Sequence, residues 1–156
     1  MNSNPITEIL TASMVDLVPL FEEHLAHGQS VRFKPKGISM LPMLRQGIDT
    51  VTLTAITDNP KKYDIVLYHR DNGKYVLHRI VGVGQTYTMI GDNQYVKEQG
   101  IRRDQIIATV TAYTRGDREY RMDSIRQQLY CRLWHHSRFP RRALRALKNM
   151  LKRIFR

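Results

Sequence analysis

At 156 residues the chain is long enough for one domain with its own core. Its single cysteine, Cys131, excludes an internal disulfide framework and a multi-cysteine zinc site. The formal charge of +11 is unevenly spread: residues 138–156 hold +8 without one acid, leaving +3 for the other 137 residues, an ordinary body with a basic tail.

In chain order, Ile9, Leu10, Met14, Leu17, Val18, Phe21 and Leu25 recur at helical spacing and predict a helix over residues 6–27, kinked or divided at Pro19 and stopped by Gly28. Asp16 and Pro19 interrupt the apolar run, so it does not read as a signal peptide. No segment approaches the roughly 18–20 apolar residues that cross a bilayer. The expectation is a cytoplasmic protein, at most lying on a membrane surface.

Val31, Phe33 and Pro35 alternate with Arg32, Lys34 and Lys36 and predict a half-buried strand. Residues 49–54 are β-branched and alternating, and residues 63–68 form a third strand. Asp71-Asn72-Gly73 joins that strand to residues 75–81 as a hairpin. Residues 86–90 and 106–113 complete six predicted strands. Few helices lie between them, which predicts a mainly β (α+β) fold: a compact, strongly twisted antiparallel β domain with an N-terminal helix and C-terminal helices. The expected boundaries are a helical segment over 1–29, the β domain over 30–114 and a basic helical extension over 115–156. In the extension, helical composition runs from Arg121 through Leu129, Leu133 and Trp134, and Phe139-Pro140 predicts a break. A last helix carries Leu144, Leu147, Leu151 and Ile154 or Phe155 on one face, with lysines and arginines around the rest.

The chemistry-bearing stretch is Lys36-Gly37-Ile38-Ser39-Met40-Leu41-Pro42-Met43-Leu44, a serine in a strand-to-turn corner. Gly37 permits a sharp turn or a close approach, Pro42 ends regular structure, and the apolar residues around Ser39 can anchor the corner. A serine hydroxyl is almost un-ionised near neutral pH, so it acts as a nucleophile only beside a base. His78, on the strand face of Val76 and Ile80, supplies an imidazole that titrates near that range. His69 at the hairpin end is the competing base, and no lysine occupies residues 75–83.

The order of motifs is Gly37-x-Ser39-Met40-x-Pro42, Gly47-x-Asp49, Asp64-Ile65-Val66, His78-Arg79-Ile80-Val81 and Gly91-Asp92-Asn93. Over residues 31–113 this order resembles the signal peptidase I and LexA-like superfamily of serine peptidases. It is most similar to the archaeal and endoplasmic-reticulum signal peptidase branch, which uses histidine where bacterial and LexA-type members use lysine. The resemblance implies Ser39 as nucleophile, His78 as general base and acidic support for the base from Asp92. The later acidic position falls near Lys97-Glu98, where Glu98 stands in for the expected aspartate. It further implies backbone amides of the corner as oxyanion donors and cleavage after small side chains.

The resulting expectation is a serine endopeptidase that cleaves a precursor peptide or preprotein bound as an added strand, with no cofactor or metal. The alternatives are a non-catalytic peptidase-like binding module and a LexA-like regulator. Relatives of the signal peptidase type are anchored by an apolar span, which this sequence does not contain. For the basic tail, peripheral contact with anionic lipid and docking of its leucines on the domain stand as equal readings. Nucleic-acid binding ranks behind both.

Overall fold

A computed structural model of the chain describes residues 14–154. Residues 6–13 of the expected N-terminal helix, with Ile9 and Leu10, lie outside the described residues, as does Phe155. The described part of that helix is α1 (Met14–Ala26), which runs through Pro19 without stopping and buries Leu17, Val18, Phe21 and Leu25. Its end is capped by Gly28, whose φ of 72° closes the last turn as a non-glycine residue could not do cheaply.

Eight antiparallel strands follow: β1 (Val31–Phe33), β2 (Thr50–Thr54), β3 (Ile65–His69), β4 (Tyr75–Val83), β5 (Tyr87–Ile90), β6 (Glu98–Ile101), β7 (Ile106–Arg115) and β8 (Arg118–Arg121). They form one sheet in the order β1-β2-β7-β3-β4-β5-β6, with β8 paired to β7. Among the described residues the fold is therefore an antiparallel sheet with three α-helices, α2 (Ile125–His136) and α3 (Arg138–Ile154) completing the set. Two strands escape sequence reading. The segment Glu98-Gln99-Gly100-Ile101 and the segment Arg118-Glu119-Tyr120-Arg121 are short, polar and without apolar alternation, as suits edge positions. Because of β8, the sheet runs past residue 114 to Arg121. The break expected at Phe139-Pro140 falls earlier, at Ser137, which caps α2. Pro140 sits in the first turn of α3, where its missing N–H has no intrahelical partner to lose.

Alternation along the strands makes two cores. One face joins Val51, Leu53, Ile65, Leu67, Ala108 and Val110 to α1 and to Met40, Met43 and Leu44 of the serine corner. The other packs Val66, Tyr68, Ile80, Met89 and Ile106 together in a second cluster. Between strands and helices lies a buried ion pair. Arg79 donates from Nε to Asp92 Oδ1 at 2.8 Å and from Nη2 to Asp92 Oδ2 at 2.6 Å, and both side chains are 1% exposed. The same guanidinium donates to the Tyr63 carbonyl at 3.0 Å and reaches the sulfurs of Cys131 and Met43.

Removing one partner of such a pair strands the other charge away from water. Asp92→Ala is expected to cost about 3–5 kcal/mol, read as a shifted denaturant midpoint. The double replacement Arg79→Met with Asp92→Leu should cost less than the sum of the two single changes, because neither charge is then left alone.

Candidate active site

The serine corner is held from three sides. Gly37, at φ 92°, turns the chain out of β1, and the Leu41–Pro42 peptide is cis. Met40, Met43 and Leu44 are buried and Leu44 N–H donates to the Met40 carbonyl at 2.9 Å, which pins the underside of the turn. Arg115 Nη2 donates to the carbonyls of Pro42 and Met43 at 2.8 and 2.6 Å. From the far side, Asn93 N–H donates to the Ser39 carbonyl at 2.8 Å and its side chain to the Ile38 carbonyl at 3.2 Å. Gly91 is packed so closely here that an added Cβ would lie 2.7 Å from the Ser39 carbonyl oxygen and 3.0 Å from Ser39 Cβ. The Gly91-Asp92-Asn93 motif is thus the clamp on the corner. Asp49 closes the loop behind it, buried and bonded to the Arg45 amide at 2.9 Å and to the Arg45 guanidinium at 2.6 Å.

Ser39 and His78 face one cleft of about 240 Å³, bounded by Lys36, Gly37, Met40, Leu77 and Gln94. His78 is 1% exposed, and its Nδ1 is turned away toward polar partners: Tyr68 Oη at 3.2 Å and Glu98 Oε1 at 3.2 Å. Tyr68 Oη donates to Glu98 Oε2 at 2.9 Å. Arg70 grips the same carboxylate with two bonds, Nε to Oε2 at 2.7 Å and Nη2 to Oε1 at 2.5 Å. Burial pushes the Glu98 carboxyl up, but the bonds from Arg70 and Tyr68 outweigh it and hold Glu98 below the ordinary glutamate value. Burial drives the His78 imidazole down to about 4, while the Glu98 charge pulls it up and Arg70 pushes it further down. Tyr68 is raised by burial and by Glu98, so it stays a protonated donor.

The two candidate acids therefore occupy different places. Glu98 lies against His78, whereas Asp92 is held by Arg79 on the neighbouring side of β4 and acts on His78 only through its field. His69 ends β3 opposite Tyr75 and does not line the cleft. No sequence motif marks Tyr68 or Arg70. The hairpin turn contains the signal for Tyr68: with His69 opposite Tyr75, Val66 pairs with His78, and Tyr68 falls diagonally beside the histidine on the same face. Arg70 has no such signal, because its partner arrives on β6, a strand that the sequence does not announce.

Among the described residues no group of three or more His, Cys, Asp or Glu is arranged to hold a metal ion. Compared with known families and curated proteins, the chain matches none: no family model fits it and no curated protein is significantly similar. Chemically, the arrangement offers a hydroxyl and a buried imidazole on one cleft, with a carboxylate fixed behind the imidazole.

The histidine also predicts a pH dependence of stability. Its folded pKa of about 4 lies below the ordinary value of 6.5, so the unfolded chain binds more protons between these values. The contribution is intact above pH 6.5 and is lost as pH falls through that window toward 4. His78→Gln should flatten the fall in melting temperature across this window relative to the unaltered chain.

Proposed function

We propose that the chain is a serine endopeptidase of the signal peptidase I and LexA-like type, with Ser39 as nucleophile and His78 as general base. The observation that carries this reading is the shared cleft of Ser39 and His78, with Tyr68 and Glu98 holding the ring from its Nδ1 side. With Nδ1–H donating to Glu98, Nε2 is the free base. Ser39 Oγ then attacks a peptide carbonyl carbon as its proton passes to Nε2. Collapse of the tetrahedral adduct expels the amine, which takes that proton and leaves an acyl-serine. His78 next deprotonates a water, which hydrolyses the ester and regenerates Ser39. Backbone amides of the clamped corner are the candidate donors to the oxyanion.

The sheet also suggests how a substrate binds. β4 pairs with β3 from Tyr75 to Arg79, but its pairing with β5 begins only at Arg79. Among the described strands none pairs with the other edge of residues 75–78, and that edge lines the cleft opposite Pro35, Lys36 and Gly37. An extended peptide added to this edge has its backbone bonds satisfied and a carbonyl carried past Ser39. A precursor peptide or a locally unfolded preprotein segment is the class of substrate that fits.

A fluorophosphonate probe and a quenched peptide library test the activity. Ser39→Ala should abolish labelling and hydrolysis, and His78→Ala hydrolysis, with the double variant hardly worse than either, since members of one catalytic unit are not additive. Labelling of Ser39→Ala at the level of the unaltered chain would overturn the assignment.

Glu98 gives a second, independent test. Glu98→Gln should lower turnover roughly tenfold or more by loosening the imidazole. Because the Glu98 charge raises the His78 pKa, the acid limb of the kcat/KM profile should move to lower pH, from a starting position near 4. A limb that stays in place would mean that Glu98 is not electrostatically coupled to the base.

A further inference from the structure

The last helix presents its apolar stripe away from the protein. Leu144, Leu147, Met150 and Leu151 are 65%, 49%, 52% and 44% exposed. The side that meets the body is instead basic. Arg141 stacks on Trp134 at 3.4 Å and donates to the Trp134 carbonyl at 2.6 Å, and Arg142 lies 5.9 Å over the ring of Tyr95. Docking of the leucines on their own domain, one of the readings open from the sequence, is not what the structure has. On α2, Ile125, Leu129 and Leu133 form a second exposed stripe at four-residue spacing. Positive charge is also left over at the elbow between the two helices, where the three guanidinium nitrogens of Arg138 are buried without a hydrogen-bond partner.

We propose that α3 is a membrane-surface anchor, lying on anionic lipid with Leu144, Leu147, Met150 and Leu151 at the acyl boundary and the exposed charge beside the stripe, Lys148 included, at the phosphates. Charge complementarity selects this occupant. Residues 138–156 carry eight basic residues and no acid, so two copies of the helix repel each other when apposed. Nucleic acid would meet the charge but leave four large apolar side chains in water, whereas an anionic lipid interface takes the stripe and the positive charge beside it together. The anchor is tied to the cleft: Trp134 Nε1 donates to the Asp92 carbonyl at 3.1 Å, next to the Asn93 clamp on Ser39. The inference stands on α3 and needs no peptidase activity.

The test is sedimentation of the full chain, carrying Ser39→Ala, with vesicles of phosphatidylcholine alone or mixed in equal parts with phosphatidylglycerol. Binding is expected on the mixed vesicles only, falling as salt rises through the range where surface charges are screened. Leu147→Asp with Leu151→Asp should weaken it roughly tenfold or more, at an unchanged thermal transition since both sites are exposed. If that variant does not fold, Lys148→Glu keeps the test, and should weaken binding at low salt. No binding to anionic vesicles overturns the proposal, as does binding that the aspartates leave unchanged. Retention on duplex DNA without vesicle binding overturns it in favour of nucleic acid.

Discussion

The pair Arg79–Asp92 is the constraint on which the rest of the site depends. Neither charge has access to water, so each is tolerable only while the other is in place. Their bond fixes the Gly91-Asp92-Asn93 loop against β4. The two residues flanking Asp92 then determine the height of the Ser39 corner, Gly91 by contact and Asn93 by hydrogen bond. The same pair carries the α2 side of the molecule, through Cys131 on Arg79 and Trp134 on the Asp92 carbonyl. A charge pair buried this deeply adds little net stability over an apolar pair of the same shape, yet losing either partner leaves an uncompensated buried charge.

β4 uses the pleat to keep two electrostatic systems apart. Consecutive residues point to opposite faces, so Arg79 goes to the side of Asp92 while His78 goes to the side of Tyr68 and Glu98. Each acid has its own arginine, Arg79 for Asp92 and Arg70 for Glu98. Arg70 keeps the carboxylate behind the histidine ionised, at the cost of a positive charge that weakens the imidazole as a base. Burial weakens it further, and the Glu98 charge opposes both.

Much of the sheet is legible in the sequence because its strands alternate. Residues 49–54, 63–68, 75–81, 86–90 and 106–113 each fall on a strand, and the Asp71-Asn72-Gly73 turn fixes the register that sets Tyr68 beside His78. β6 and β8 are hidden because an edge strand needs no apolar face, and the partner of Arg70 is hidden with β6. The family resemblance points to both acids but does not rank them. Which one reaches the histidine depends on pleat parity and on where β6 pairs, and no local pattern encodes either. For α3, the apolar stripe can be read from sequence, whereas the direction in which it points is a tertiary fact. Trp134 and the elbow decide it.

The unpaired edge of β4 carries a hazard as well as an opportunity. Exposed backbone donors and acceptors on a strand recruit any other extended chain, including a misfolded copy of the same protein. Among the described residues the unpaired run is four residues, bounded by the β5 ladder at Arg79 and walled by Pro35, Lys36 and Gly37. Segments that seed cross-β stacking are about six or seven residues long and need room for a second sheet to close over them. On the proposed mode of binding a four-residue edge sunk in a cleft takes one strand, yet it is too short and too enclosed to start a fibril.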